Sequence, residues 1–284
     1  MTEVVAGLDM SAVGRRVLER SRLMAEHLGD DLRVTHVVES VDDAMMSPEL
    51  AKLLEDSRRE RLEKMGAWVR ERTELGVRID LIRGSPSWEL VRASKGNPLL
   101  VMGSSSVDSS RLGPVTAQAA RMAPSDVLVV RRQPRGLYRK IIIGVDFSDA
   151  SAAAVRKTVS WYPDAELTAV FALPSRFDSM LHEAGLYEVE IEAARTERQK
   201  RAEDRMGEFI QPWEDRVRTV VTDGPPREAL GEAGRRHRAD LVVVASRGAG
   251  ATKMVLLGSV AEGVLWGVPT DVHIVRVPSQ FRRP

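Results

Sequence analysis

The sequence contains no cysteine among its 284 residues, which excludes disulfide bridges, thiolate nucleophiles and zinc–thiolate sites. Its formal net charge of only +1 gives no excess of one sign that would attract nucleic acid or an anionic membrane. The five histidines are scattered, and no pair has the i, i+4 spacing that places two metal ligands on one helical face. We therefore expect no protein-built metal site and no nucleic-acid partner.

Long hydrophobic runs are also missing. The longest apolar runs, such as residues 241–245, are far too short to span a bilayer. The start of the chain does not resemble a signal peptide, because Thr2 and Glu3 are followed by a short apolar run that Asp9 interrupts. We expect a cytoplasmic protein without a membrane segment.

What the sequence does contain is one internal repeat. Residues 4–11 read VVAGLDMS and residues 141–148 read IIIGVDFS, so each is an apolar run that ends in Gly-x-Asp-x-Ser. Later landmarks recur in the same order and pair residues 34–38 with 169–173, 83–86 with 223–226, 99–103 with 241–245, and 124–130 with 269–275. Such a repeat indicates a duplicated domain. We predict domains at residues 1–133 and 138–278, joined by the polar segment RQPRG at 132–136.

Each copy alternates short, β-branched apolar runs with longer amphipathic stretches. Continuous apolar runs are typical of strands buried on both faces, and therefore of a parallel sheet. Four strand–helix pairs followed by a fifth strand predict a doubly wound α/β domain in each copy. Ser11 and Ser148 stand where an N-cap would begin the first helix. The second helix, highly charged, is expected over residues 48–74 and 184–210.

In an open parallel sheet, ligands bind beyond the carboxyl ends of the strands, where the strand order reverses. In the second copy Asp146 follows the first strand, and the fourth strand leads into the sequence ASRGAG at 245–250. Further on, Gly258 and Ser259 open another helix. Glycines and a helix N-terminus allow backbone N–H groups to approach an anion, although such glycines equally serve as turn residues. Neither a Walker A sequence nor a dinucleotide fingerprint is present.

The duplicated five-strand unit, its Gly-x-Asp-x-Ser and above all the loop after the fourth strand resemble the universal stress protein family, in its tandem form. ATP-binding members of that family carry G-x2-G-x9-G-[ST]. In this sequence Gly248 and the Gly258-Ser259 pair match that spacing, whereas Ala245 replaces the first glycine. The resemblance covers nearly the whole chain, once in each copy.

This resemblance implies two domains of the adenine nucleotide alpha hydrolase type and an ATP, ADP or AMP site in the second copy. Asp146 would hydrogen-bond the ribose or adenine, Ala172 would contact adenine through its backbone, and Val244 and Ala245 would line the base and ribose. The residues implied to hold phosphate are Gly248, Gly258, Ser259 and Val260. Mg²⁺ would accompany a triphosphate, bound largely through phosphate oxygens and water.

The first copy departs further from the family motif. Gly103 is present, but Ser106 replaces the second glycine. Gly113-Pro114 comes too early for the x9 spacing, and Pro114 removes an N–H donor. The phosphate half of this site is therefore expected to be lost, leaving Asp9 as a capping or turn residue.

The resemblance also implies how the copies associate, because in the family the fifth strand pairs with the equivalent strand of another unit. We expect the two copies to pair as a pseudo-dimer within one chain, through residues 127–131 and 272–277. Pairing would cover apolar strand edges that otherwise promote aggregation. A homodimer of whole chains is a further expectation.

Three functions are compatible with these residues. The first is a stress-response sensor or regulator that binds an adenine nucleotide and hydrolyses ATP slowly at most, since no nucleophile with an acid–base partner is apparent. The second is a structural or protein-interaction module that binds no nucleotide, because Ala245 would crowd the pocket. The third is a nucleotidyl-transfer enzyme, which would be expected to carry a His-x-Gly-His-type motif that this sequence lacks. No catalytic residue is predicted.

Overall fold

Strands and helices alternate along the chain in both halves. The computed structural model describes residues 2–9, 11–39, 47–104, 112–173, 187–246 and 257–277. By its internal contacts the chain divides into two units, Met1–Leu137 and Tyr138–Pro284. Within the described residues, no helix is both long and apolar enough to cross a membrane.

The first unit contains five strands and four helices among its described residues. In chain order they are β1 (Glu3–Leu8), α1 (Ala12–Leu28), β2 (Asp31–Val38), α2 (Pro48–Arg70), β3 (Val77–Arg83), α3 (Pro86–Ser94), β4 (Leu99–Gly103), α4 (Pro114–Met122) and β5 (Asp126–Val130). Their order in the sheet is β3-β2-β1-β4-β5, and every neighbouring pair is parallel.

The second unit repeats this pattern. Its elements are β6 (Lys140–Val145), α5 (Asp149–Trp161), β7 (Glu166–Leu173), α6 (Glu188–Ile210), β8 (Val217–Asp223), α7 (Pro226–Arg236), β9 (Leu241–Ala245), α8 (Ser259–Gly267) and β10 (Asp271–Val275). The strand order is β8-β7-β6-β9-β10, again parallel throughout. The predicted fold class, two doubly wound five-stranded units in tandem, is confirmed.

The central strands are buried on both faces, as their continuous apolar sequences predict. Ile141, Ile142 and Ile143 are each at most 1% exposed. Successive strand residues point to opposite faces of a sheet, so burial of all three means that both faces of β6 are covered. This explains why β6 shows no alternation of polar and apolar residues.

Both predicted N-caps are confirmed. Ser11 accepts a hydrogen bond from the backbone N–H of Val13 at the start of α1. Ser148 accepts one from the N–H of Ser151 at the start of α5, with a distance of 3.1 Å. Each hydroxyl thereby satisfies one of the N–H groups that a helix leaves unpaired at its first turn.

The second helix of the first unit is shorter than predicted. The expected end at residue 74 is wrong, because α2 ends at Arg70. Two hydrogen bonds explain the early end: the N–H of Gly76 donates to Asp31 Oδ1 at 2.9 Å, and Gly76 accepts from the N–H of Leu32. The chain must leave the helix to bring Gly76 beside the start of β2. In the second unit α6 begins at Glu188, and the predicted start at 184 lies outside the described residues.

Candidate functional site

A cavity of about 360 Å³ lies at the carboxyl ends of β6, β7 and β9 in the second unit. Here β6 lies between β7 and β9, so the strand order reverses at this point. Seven of the eight residues predicted for the site line this cavity, namely Asp146, Ala172, Val244, Ala245, Gly258, Ser259 and Val260. The eighth, Gly248, lies outside the described residues. The structure brings these seven together, and their role in binding stays a prediction.

Sequence reasoning missed part of the cavity wall. The further lining residues are Gly144, Val145, Ser151, Val170, Phe171, Pro226, Leu230 and Ala261. The signal for Pro226 was present, since it is the last residue of the recurring landmark at 223–226 and begins α7. Leu230 lies one turn further along the same helix, where an apolar residue at i+4 faces the same side.

Gly144 lies where α7 packs closely over β6. A β-carbon at this position would lie 3.0 Å from Leu230 Cδ1 and 3.2 Å from Val244 Cγ1. The glycine thus lets Leu230 pack closely against the strand, next to the cavity. Gly7 has the same role in the first unit, where a β-carbon would lie 2.9 Å from Leu90.

The carboxylate of Asp146 is held in place by the turn that starts α5. Its Oδ1 accepts the backbone N–H of Ser148 at 3.1 Å and the hydroxyl of Ser148 at 2.5 Å. The N–H of Asp146 in turn donates to Ser151 Oγ at 3.5 Å. These bonds fix the orientation of a carboxylate that lines the cavity, so a ligand would meet a preformed acceptor.

Phe147 makes this turn possible with an unusual backbone conformation. Its φ angle is 62°, in the left-handed region that residues with a side chain seldom adopt. Its ring packs against Phe171, with centroids 4.4 Å apart, and edge-on against Phe209 at 5.6 Å. The Arg205 guanidinium lies 4.3 Å from the ring centroid on one face. This aromatic packing offsets the backbone cost and connects α6 to the turn that carries Asp146.

The N-terminus of α8 presents hydrogen-bond donors at the cavity. The N–H of Gly258 donates to the Ser246 carbonyl at 2.8 Å, so this glycine is not itself a free donor. The first backbone N–H of α8 that makes a helical hydrogen bond is that of Glu262, which donates to the Gly258 carbonyl. Among the described residues, no acceptor meets the N–H groups of Ser259, Val260 and Ala261. These three donors, with the helix dipole, favour an anion.

The side chain of Ala245, where the motif has glycine, is accommodated within its unit. At the corresponding Gly103 a β-carbon would lie 2.6 Å from Val13 Cγ1. When the N-caps Ser11 and Ser148 are aligned, the counterpart of Val13 is Ala150, which has no γ-carbons. A smaller helix residue therefore accompanies the larger strand residue. The 360 Å³ cavity exists with the Ala245 methyl in place.

A second cavity, of about 400 Å³, lies at the corresponding place in the first unit. Asp9, His36 and Pro114 are among its lining residues. Helix α4 begins at Pro114, which has no N–H, and the N–H of its N-cap Gly113 donates to the Ser104 carbonyl. Ser106 lies outside the described residues. This helix end therefore offers fewer donors to an anion than α8 does.

The cavity of the second unit combines three chemical features. Apolar walls suit a flat ring, one carboxylate suits hydroxyl or amine donors, and a helix N-terminus suits an anion. Among its described lining residues Asp146 is the only titratable one, so no acid–base pair lines this part of the cavity. In the described part of the chain, no group of three His, Asp or Glu residues is placed to hold a metal ion.

Both units match a known protein family. The model of the Universal stress protein family matches residues 1–131 and again residues 137–276. Universal stress protein MJ0531 of Methanocaldococcus jannaschii is 28% identical over 151 residues, which span 52% of this chain and 88% of that protein. Universal stress protein Rv2005c of Mycobacterium tuberculosis is 29% identical over 220 residues, spanning 72% of this chain and 68% of that protein.

A solved structure extends the likeness to the fold of the chain. A universal stress protein from Archaeoglobus fulgidus covers 98% of this chain and 97% of its own, with a TM-score of 0.70 at 19% identity. At that identity the likeness concerns the fold alone, and the family assignment comes from the two matches of the family model. The chain belongs to the universal stress protein family, with the family domain present twice.

Proposed function

We propose that this protein is a stress-response sensor or regulator that binds ATP or a related adenine nucleotide in its second unit. One observation carries the proposal: seven residues that the family resemblance implies for the site come together around one cavity at the strand-order reversal. That cavity combines apolar walls, one oriented carboxylate and a helix N-terminus. These features match a base, a ribose and a phosphate chain.

Each part of the ligand has a partner in this proposal. The base lies against Ala172 and Val244, and a ribose hydroxyl or the base donates a hydrogen bond to Asp146. Phosphate oxygens accept from the N–H groups of Ser259 and Val260 and from the Ser259 hydroxyl. Mg²⁺, when present, is bound by phosphate oxygens and water, because the described residues offer no cluster of metal ligands.

The residues of this cavity make fast hydrolysis of ATP unexpected. A general base must lie within hydrogen-bond reach of the attacking water, and Asp146 is already oriented by Ser148. We propose that nucleotide binding, with slow hydrolysis at most, is the working state of the protein in the cytoplasm. Binding would then report nucleotide levels to a partner protein.

Calorimetric titration of the whole chain with Mg²⁺-ATP tests the proposal. We expect one nucleotide per chain, with mass spectrometry of the natively purified protein identifying the adenine nucleotide that it retains. A stoichiometry of two would show that the first unit has kept its phosphate site. No binding would favour the interaction module, the alternative suggested by Ala245.

Association of the two units is a separate proposal. It rests on the duplication and on the apolar sequences at 127–131 and 272–277, which need a partner if they form sheet edges. The two halves, expressed separately, should then associate or aggregate. Two monodisperse monomers that ignore each other would contradict the pseudo-dimer. Sedimentation of the whole chain tests the further expectation of a homodimer.

A further inference from the structure

The cavity of the first unit is about as large as that of the second, although residues of the family's phosphate-binding motif are replaced in the first unit. Its volume of about 400 Å³ falls in the range of about 300–1,000 Å³ that is usual for small-molecule sites. Most of its wall is apolar, formed by residues such as Leu8, Val17, Leu90 and Met102. If this unit had lost its binding site altogether, we would expect larger side chains to fill the space.

His36 distinguishes this cavity from the one in the second unit. Its Nδ1–H donates to the Leu8 carbonyl, 2.8 Å away, because a carbonyl oxygen can only accept. In the neutral ring Nε2 is therefore an acceptor, and no described residue donates to it. The strand register pairs Leu8 with His36 and Val145 with Phe171, so the second unit has a phenyl ring at this position.

Asp9 supplies a second acceptor at the same cavity. Its Oδ1 accepts the N–H of Ser11 at 3.2 Å and the Ser11 hydroxyl at 2.5 Å. No described residue donates to Oδ2. The two residues that carry these acceptors, Asp9 and His36, both line this mostly apolar cavity. A matching ligand must bring at least two hydrogen-bond donors and a flat apolar body.

This site offers an anionic group fewer hydrogen-bond donors than the site of the second unit does. Pro114 removes the N–H that Ser259 offers in the second unit, and the N–H of Gly113 is bonded to Ser104. A phosphate here would meet two helix N–H groups that have no described acceptor, those of Val115 and Thr116, where the second unit offers three.

We propose that the first unit binds an uncharged purine nucleoside, with adenosine as the test ligand. The ribose hydroxyls donate to Asp9, and the exocyclic amine of the base donates to His36 Nε2. The choice of a purine rests on the proposed nucleotide function of the second unit. The preference for an uncharged ligand rests on Pro114 and on the acceptors of this cavity alone. The chain would thus bind a nucleotide and a nucleoside at separate sites.

Calorimetric titration of the whole chain with adenosine, in the presence of saturating Mg²⁺-ATP, tests the proposal. ATP occupies the second unit, so one further adenosine per chain is expected. AMP in place of adenosine should bind at least about tenfold more weakly, a difference of about 1.4 kcal/mol. Absence of adenosine binding, or AMP binding as tight as adenosine, would overturn the proposal.

Two substitutions locate the adenosine. His36→Phe introduces the residue of the second unit and removes Nε2, and His36→Asn removes Nε2 while keeping an N–H that can donate to Leu8. Both should weaken adenosine by about tenfold or more. His237→Asn is the matched control, because His237 is exposed at the end of α7 and lines neither cavity. Unchanged adenosine affinity in a folded His36→Asn protein would contradict the assignment.

The test separates this proposal from that of the second unit. If the chain does not bind ATP, the nucleotide proposal fails, and adenosine is titrated without ATP. Sensitivity of that binding to His36→Asn, but not to Asp146→Asn, would still support a nucleoside site in the first unit. The opposite pattern would place adenosine in the second unit and reject the nucleoside site.

Discussion

Gly103 lies so close to Val13 that a β-carbon on the glycine would meet Val13 Cγ1 at 2.6 Å. In the second unit the corresponding positions are Ala245 and Ala150, so both residues of the pair differ together. This relationship explains how the family glycine is replaced in one unit and kept in the other.

Gly103→Ala should therefore destabilise the first unit. Overpacking of a close contact costs about 1–3 kcal/mol in free energy of unfolding. In a Val13→Ala background the same change should cost less, because the γ-carbons that clash are absent. Urea unfolding of the four proteins in this double-mutant cycle measures the coupling, and strictly additive costs would contradict the pairing.

Gly258→Val should weaken the proposed ATP binding without unfolding the protein. Gly258 is the N-cap of α8 with φ −65° and ψ 155°, extended angles that any residue adopts. A valine side chain at this point of the cavity would occupy the space proposed for phosphate, so we expect the affinity for ATP to fall by about tenfold or more. The matched control is Gly113→Val, at the same N-cap position of α4 with φ −75° and ψ 155°. It should leave ATP affinity unchanged, and calorimetry compares the two.

Ser259→Pro should reproduce in α8 the change that Pro114 represents in α4. Proline is tolerated at the first position of a helix, and Gly258 already has the extended backbone that precedes proline. Ser259→Ala removes one hydroxyl bond to a charged group, about 1.5–3 kcal/mol at most. Ser259→Pro removes the N–H as well and should weaken ATP further. Equal losses for the two variants would show that this N–H does not contact phosphate.

Phe147→Gly should be less destabilising than Phe147→Ala, by about 1 kcal/mol. Both variants lose the ring packing with Phe171 and Phe209, but glycine adopts the φ of 62° without the cost that alanine bears. At Phe209, inside helix α6, the order should be reversed, because glycine disfavours a helix. Urea unfolding of the four variants tests both orders. The same order at both positions would mean that Phe147 is not strained.

Features that depend on nearby residues were predictable from the sequence. The strands follow from continuous apolar runs, the N-caps Ser11 and Ser148 from serine before an amphipathic stretch, and the fold class from the repeat. Among the seven described site residues, Ala245, Gly258 and Ser259 follow from the spacing of the motif, whereas Asp146, Ala172, Val244 and Val260 follow only from the family resemblance. The domain bounds 1–133 and 138–278 and the binding roles of the site residues remain predictions.

Features that depend on distant residues were not predictable. The early end of α2 depends on the hydrogen bond between Gly76 and Asp31. The N–H of Gly258 was expected to face phosphate, yet it donates to Ser246, which is itself fixed by a hydrogen bond from its N–H to Val275. The left-handed conformation of Phe147 is supported by Phe209, far away in the sequence. In each case a contact across the unit determines the local geometry.

The position of β1 within its sheet has a consequence for the order of folding. Its first neighbour, β2, follows after one helix, but its other neighbour is β4, through pairs such as Val4 with Leu99. Pairing of distant parallel strands is slow, because a long loop must close before the contacts form. During synthesis, one edge of β1 therefore stays unpaired until β2, β3 and β4 have left the ribosome. A chain that stops after β3 would present an aggregation-prone strand, whereas one that includes β4 can complete the centre of the sheet.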